Sequence, residues 1–157
     1  MEKSRADSTK EKGKASEHAI LTSRVIDRPM RPLFPKDYRN DVTLNNMVMS
    51  VDPECDPEVV AMLGSAIATC ISDIPFDGPC AMTQIGMIDG EFIVNPTLAQ
   101  KAVSDLKLTV ASTREKVIMI EAGAKEIPEA KMIDAIYKAH EVNQEIIKFI
   151  DSIDSRG

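Results

Sequence analysis

The stretch CAMTQIGMIDGEFIV, residues 80–94, decides the fold class of this chain. Two strand-like runs, residues 80–88 and 91–95, flank the dipeptide Asp89-Gly90. An Asp-Gly pair between two such runs is the strongest short-range signal of a β-hairpin, because both turn positions need a left-handed backbone. The stretch therefore predicts two antiparallel strands joined by a tight turn.

The residues that follow predict a second hairpin and a long helix. Leu106 to Ala111 alternates apolar and polar side chains, and Val117 to Glu121 is another strand-like run. Pro128 opens a helix of about residues 128–153, since proline suits the first turn of a helix. The side chains expected to face inward recur at helical spacing and are Met132, Ile136, Ala139, Asn143, Ile147 and Ile150.

The N-terminal half begins with a predicted helix. Ser16 is a suitable N-cap for a helix from Glu17 to about Asp27. Pro29 is expected to end or kink this helix, because its ring clashes with the preceding turn. The residues predicted to face inward are Ile20, Leu21 and Val25.

A strand and a second helix follow. The alternation of apolar residues from Val42 to Val51 predicts a strand, with a bulge where the phase slips at Asn45-Asn46. Asp56 and Pro57 predict the start of a helix, with Asp at the N-cap and Pro in the first position. Its expected inward stripe is Val59, Leu63, Ala66, Ile67 and Cys70. The order of helix, strand, helix, two hairpins and long helix is an α+β pattern.

Composition restricts the class of protein. The chain has 157 residues, of which 43% are hydrophobic and 4% aromatic, so its core is aliphatic, with nine Met as adaptable filler. No run of 18 apolar residues and no apolar segment after Met1 is present, which predicts neither a membrane span nor a secretory signal. The three cysteines form no CxxC pair, so a reduced, cytoplasmic protein is favoured over a disulfide framework.

Charge is distributed unevenly along the chain. The net charge is −6, and it combines +4 over residues 1–39 with −10 over residues 40–157. This balance excludes a general nucleic-acid coat protein, but it permits a local site for a polyanion. A solvated charged tail is the alternative explanation for the basic N-terminal residues.

Three arginines are the main candidate for a site. Arg24, Arg28 and Arg31 differ by four and three positions, so on a helix they share one face. The guanidinium group suits phosphate oxygens and stays charged when partly buried. One interpretation is a contact with phosphate or with an RNA backbone. The other is a structural ion-pair cluster, in which Asp27 pairs with one of the arginines.

The remaining polar groups predict neither a catalytic residue nor a metal site. Asp52, Glu54, Asp56 and Glu58 surround two prolines, and such a cluster is more typical of a capped loop than of a cation site. The two histidines lack a Cys or Ser at readable spacing. No nucleophile and base can be paired from the sequence.

Four longer strings resemble one family. They are TSRVIDRPMRPLFPKDYRNDV (22–42), MSVDPECDPEVVAMLGSAIATCISDIPFDGP (49–79), GMIDGEFIVNPT (86–97) and VIMIEAGAKEIPE (117–129). They look like the first RNase PH-type core of the polynucleotide phosphorylases, and the likeness runs from about Gly13 to Ile150. The resemblance implies an α+β, RNase PH-like partial core with an N-terminal helix, a mixed or antiparallel sheet with two hairpins, and helices packed on one face.

The resemblance also implies an activity. The family degrades RNA from the 3′ end as an exoribonuclease: inorganic phosphate attacks the terminal phosphodiester and releases a nucleoside diphosphate. It is a polyribonucleotide nucleotidyltransferase that uses Mg2+ and acts in the cytoplasm in RNA degradation. Its members are ring-shaped homotrimers with two such cores per subunit, and RNA and the RNA-degradation machinery are the expected partners.

Site residues carry over only where the motif matches. Arg24, Arg28 and Arg31 fall in an RLIDRPIRP-type motif, which implies a role in binding RNA or phosphate, and Lys14 stands where the family has a basic residue near the ring aperture. The phosphate and metal ligands of the family lie mainly in the second core. The resemblance therefore implies that this chain alone is inactive and contributes RNA contact and ring assembly. The alternative is a non-catalytic RNA-binding or assembly module.

The N-terminus departs from the family pattern. STKEK (8–12) stands where the family has an aromatic-Arg-Arg loop preceded by several strands. We expect residues 1–15 to be disordered or atypical, residues 16–153 to form the partial core and residues 154–157 to be a tail. The sheet should then have an unpaired edge, which predicts that the chain self-associates or stays partly disordered unless a partner supplies the missing strand.

Overall fold

The computed structural model describes residues 16–154. The predictions for residues 1–15, including Lys14, and for residues 155–157 lie outside this range. The elements in chain order are α1 (Glu17–Met30), a 3-10 turn (Arg31–Leu33), α2 (Glu58–Cys70), β1 (Ala81–Ile88), β2 (Glu91–Val94), α3 (Leu98–Val103), β3 (Leu106–Ser112), β4 (Val117–Ala124) and α4 (Glu129–Asp154).

Both predicted hairpins are confirmed. The four described strands form one sheet in the order β2-β1-β3-β4, and each neighbouring pair is antiparallel. Ile88 pairs with Glu91 across the first turn, where Asp89 and Gly90 have φ of 52° and 82°. These left-handed values are those that a two-residue primed turn requires. The α+β class is therefore confirmed.

Helices cover both faces of the sheet, so the prediction that they pack on one face is wrong. Thr83 donates a hydrogen bond of 2.7 Å to Asn143 of α4, whereas its neighbour Gln84 donates one of 2.6 Å to Glu58 of α2. Because successive strand residues point to opposite faces, α4 and α2 lie on opposite sides of β1. Seven of the eight residues of β1 are buried accordingly. In a strand that is buried on both faces, apolar and polar side chains do not alternate. The near-continuous apolar run of residues 80–88 is typical of such a strand.

A buried polar network joins α4 to the sheet. Asn143 accepts from Thr83 and donates to the Val110 carbonyl and the Ser112 hydroxyl, each at 3.0 Å. All four residues are fully buried. The predicted helix of 128–153 and its inward stripe are confirmed, because Asn143 lies on that stripe with the buried Ala139, Ile147 and Ile150.

Helix α1 continues past the point where it was predicted to end. Ser16 caps it as expected, accepting from the Ala19 N–H at 3.2 Å, but Pro29 lies inside the helix and is buried. Pro29 is the next-to-last residue of the helix and removes only the bond to the Val25 carbonyl, so the helix tolerates it there. The inward face was also predicted wrongly: Ile20 and Leu21 are exposed, Val25 is half-buried, and Ile26, Pro29 and Met30 are buried.

The strand predicted from Val42 to Val51 does not form. This segment has no regular secondary structure, and Met47 and Met49 are 76% and 85% exposed. No described strand hydrogen-bonds to its backbone. A strand forms only when a neighbouring strand pairs with its backbone N–H and C=O groups. The apolar alternation of this segment therefore did not lead to a strand. Its anchor to the core is Asn46, which bonds the Ser65 hydroxyl of α2 at 3.0 Å.

Helix α2 begins one residue later than predicted. Pro57 occupies the cap position, and the Asp56 carboxylate accepts the Glu58 N–H at 3.0 Å. Its fully buried residues are Met62, Ser65, Ala66 and Thr69, whereas Val59, Leu63, Ile67 and Cys70 of the predicted stripe are partly buried. The buried face of α2 therefore differs from its most apolar face. Ser65 and Thr69 can be buried because their hydroxyl groups donate hydrogen bonds to carbonyls of their own helix.

Candidate functional site

An open groove lies between α1 and the chain that follows it. Its volume is about 640 Å³. Its lining includes Arg24 and Asp27 of α1, Arg31 of the 3-10 turn, and Tyr38 and Leu44 of the segment that follows. The groove is larger than a hollow beside Glu58, whose volume is about 210 Å³. It contains two of the three arginines singled out in the sequence.

Arg31 is held at the groove by Asp27. Its Nε donates to one carboxylate oxygen at 3.0 Å, and its Nη2 donates to both oxygens at 2.8 Å. Both side chains remain largely exposed. A guanidinium has five N–H donors, and the two on Nη1 have no partner within the described part of the chain. Asp27 therefore orients Arg31 while leaving donors for a ligand.

Arg24 and Arg28 are exposed and differ in position. Neither has a hydrogen bond or ion pair with any residue that the structure describes. Arg24 lines the groove with Arg31, but Arg28 does not. The interpretation as an ion-pair cluster thus fits Arg31 in part, and the structure brings Arg24 and Arg31 together at one surface.

The acidic residues before α2 form capped and paired contacts. Asp52 accepts the Glu54 N–H at 2.9 Å, and Asp56 pairs with Lys101 of α3 at 2.7 Å. Burial alone would raise the pKa of Asp56, but the hydrogen bonds from Lys101 and from the Glu58 N–H outweigh it and lower that pKa. Within residues 16–154 no three His, Cys, Asp or Glu side chains are placed to hold a metal ion.

The pKa of Glu58 is shifted in the opposite direction and is raised. Burial raises its pKa, the neighbouring Asp56 carboxylate raises it further, and the hydrogen bond from Gln84 opposes both. Glu58 also borders the second hollow, of about 210 Å³, with Lys107 and Glu121. The mixed charges around this hollow give it no preference for an anion.

Cys80 is unsuited to nucleophilic chemistry. It is fully buried, and burial raises the pKa of its thiol to about 12. A thiolate is the reactive form of cysteine, and it is disfavoured at neutral pH under these conditions. No catalytic residue was predicted for this chain.

Comparison with known protein families identifies the class of the chain. A model described as 3′ exoribonuclease family, domain 1, matches residues 1–75, and the corresponding model for domain 2 matches residues 78–142. The chain belongs to the 3′ exoribonuclease family. The likeness inferred from the four sequence strings is therefore confirmed, and the two family models meet between α2 and β1.

Among curated relatives, the similar proteins are polyribonucleotide nucleotidyltransferases. The one from Lachnoclostridium phytofermentans is 78% identical over 144 residues, which is 92% of this chain and 21% of the relative. The ones from Shouchella clausii and Clostridioides difficile are 55% and 53% identical over 92% of this chain and 20% of each relative. The chain thus spans about a fifth of the length of these relatives.

A solved structure supports the same fold. Rice (Oryza sativa) Rrp46 superposes with a TM-score of 0.70 at 13% sequence identity, covering 92% of this chain and 69% of that one. At this identity the likeness shows the RNase PH-like fold. No described helix is long and apolar enough to cross a bilayer.

Sequence reasoning missed three of the residues that line the groove. Tyr38, Asn40 and Asp41 line it, and none was singled out as a candidate. The sequence did contain an indication of Tyr38, because this aromatic residue lies between the basic residues Lys36 and Arg39 in a chain with few aromatics.

Proposed function

We propose that this chain is part of a 3′-to-5′ exoribonuclease that phosphorolyses RNA to nucleoside diphosphates. The observation that supports this most directly is the 78% identity to a polyribonucleotide nucleotidyltransferase over 92% of the chain. Inorganic phosphate is the co-substrate in this proposal. The activity belongs to the parent enzyme, since the chain spans about a fifth of that relative.

Within the parent, this chain contributes contact with RNA. Arg24 and Arg28 present guanidinium groups free of ion pairs with the described residues, and Arg31 retains two donors beside Asp27. A guanidinium fork matches the oxygens of a phosphodiester. Lys14 completes the proposed set of RNA-binding residues on the basis of the sequence resemblance.

Mg2+ is assigned to the parent enzyme and not to this chain. The donor groups of residues 16–154 do not come together as a metal site. We therefore derive no catalytic step from these residues and expect the chain alone to be inactive. A cytoplasmic homotrimeric ring, associated with RNA-degradation machinery, is the assembly that the family resemblance favours.

A chimaera tests this proposal. The matching 144 residues of the Lachnoclostridium phytofermentans relative are replaced by those of this chain. We expect the chimaera to release ADP from poly(A) when phosphate and Mg2+ are supplied, at a rate close to that of the unaltered relative. Release of ADP by the isolated chain would contradict the placement of the active site, and an inactive but folded chimaera would contradict the proposed function.

A non-catalytic RNA-binding or assembly module is the second candidate. The absence of a metal-holding group among the described residues favours it for the chain taken by itself. It predicts that the isolated chain binds RNA in a salt-dependent way without consuming it, and that the chimaera lacks activity.

A further inference from the structure

Tyr38 lies on the groove wall of a chain that has few aromatic side chains. The sequence contains four Phe, two Tyr and no Trp, and two of these six rings, Phe34 and Tyr38, line the groove. Phe34 packs against Phe76, with ring centroids 5.1 Å apart. Tyr38 is half-buried and has no ring neighbour in the described part of the chain. A partly exposed aromatic ring thus lines the same groove as Arg24 and Arg31.

Charge and backbone geometry support a binding role for this ring. Arg24 and Arg31 line the same groove, and Lys36, Asp37 and Arg39 are exposed next to Tyr38 in sequence. The Tyr38 N–H donates to the Pro35 carbonyl at 3.1 Å, which fixes the turn that carries the ring. Sites for single-stranded nucleic acid combine cationic groups along the backbone with rings on which bases stack. The groove offers both, and Asp27 and Asp41 also line it.

We propose that the groove holds one nucleotide of a single-stranded RNA, with its base stacked on the Tyr38 ring and its flanking phosphates bound by Arg24 and Arg31. This inference rests on the proposed function, because it takes the arginines to contact RNA. The volume of about 640 Å³ is within the range of pockets that bind small ligands. Asn40 and Asp41 line the same groove and supply amide and carboxylate groups that can form hydrogen bonds with a base edge.

The arginines and the Tyr38 ring bind different parts of the strand in this proposal. The arginines should bind any phosphodiester strand, whereas Tyr38 should bind only strands that carry bases. An abasic strand separates the two contributions, because it keeps the phosphates and the sugars and lacks the stacking surface.

The test measures binding of the 157-residue chain to a short oligo(A) and to an abasic strand of equal length. Tyr38→Ala should weaken oligo(A) binding by about fivefold or more, since stacking on an aromatic ring contributes about that much per base. Binding of the abasic strand should not change. Tyr38→Phe keeps the ring and should bind as the wild type does. Tyr137→Ala, at the other tyrosine, which is 67% exposed on α4, is the matched control and should have no effect.

A spectroscopic measurement covers the case in which Tyr38→Ala impairs folding. In Tyr137→Phe, Tyr38 is the one remaining tyrosine, and no Trp is present. Its fluorescence should be quenched by oligo(A) and not by the abasic strand. Emission that is unquenched at saturating oligo(A), or equal quenching by both strands, would overturn base stacking while leaving the arginine contacts standing. If Arg24→Ala and Arg31→Ala also leave both affinities unchanged, the proposed RNA contact itself fails.

Discussion

Asn143 is the polar side chain that joins α4 to the sheet. It bonds Thr83, Val110 and Ser112 in an environment without solvent. We expect Asn143→Ala to lower the free energy of unfolding by about 2–4 kcal/mol, because three buried polar groups are left without this partner and a small cavity forms. Urea denaturation followed by circular dichroism measures the change.

Thr83→Val provides the companion variant for this network. It removes one donor while keeping the side-chain volume, so it should cost less than Asn143→Ala. The double variant should be destabilised by less than the sum of the two single effects, because the partners share one network. Strict additivity would show that the Thr83 bond contributes nothing specific to the network.

Glu58 gives a pH dependence whose sign follows from its pKa. The folded-state pKa is raised above the ordinary 4.5, with burial as the largest cause. Its contribution to stability is therefore fully present below the unfolded pKa and is lost as pH rises through the folded pKa. Between about pH 4 and about pH 7, Glu58→Gln should gain stability relative to the wild type.

The measurement is a pair of urea denaturations at the two pH values. Glu145→Gln, which removes an exposed carboxylate from α4, controls for the change in net charge. A difference between wild type and Glu58→Gln that is the same at both pH values would show that burial does not penalise this carboxylate.

At the scale of elements, the first hairpin depends on its turn. Gly90 has φ of 82°, and a Cβ added there would meet no atom within 4 Å. Gly90→Ala should thus lower the free energy of unfolding by about 1–2 kcal/mol through backbone strain alone. Gly123→Ala also enters open space, without the left-handed backbone, and should change stability little. Equal effects of the two substitutions would contradict this account.

The segment from Val42 to Val51 has no strand partner among the residues that the structure describes. Met47, Val48, Met49 and Val51 are exposed, and an exposed β-capable segment is prone to pair with another chain. We expect the chain to self-associate with rising concentration in sedimentation velocity. Met47→Lys combined with Met49→Lys should abolish the association, whereas Ile133→Lys on the exposed face of α4 should not.

A specific result would contradict this prediction. A monodisperse monomer at all concentrations, with the backbone amides of residues 42–51 protected from hydrogen exchange, would mean that the segment is already paired.

Local signals account for the elements that sequence analysis found. The hairpins and α4 were predictable because a turn dipeptide, an alternating run and a helical stripe each specify structure within a short window. The inward face of α1 and the state of residues 42–51 were not, since they depend on which distant element lies alongside. The groove was predictable only in part. The spacing of Arg24 and Arg31 indicated a shared surface, but the position of Tyr38 in the same groove depends on the turn at Pro35.

At the scale of the whole molecule, the chain combines a family fold with a groove lined by two arginines and two aspartates. The two family models together match residues 1–75 and 78–142, and the sheet, covered by helices on both faces, holds α1 by its buried residues Ile26 and Met30. Ile26 and Met30 also line the groove, so their packing holds the neighbouring Arg24 and Arg31 at the groove. The central claim is that this surface contacts the phosphates of RNA.

The salt dependence of RNA binding tests this claim most directly. The affinity of the chain for oligo(A) is measured over a range of salt concentrations, and the variant Arg24→Ala, Arg28→Ala, Arg31→Ala is compared with Lys148→Ala, which removes an exposed cation from α4. The account predicts that the slope of log affinity against log salt falls in the triple variant by about 0.7 for each phosphate that the arginines no longer neutralise, and is unchanged in the control. An unchanged slope in a folded triple variant would contradict it.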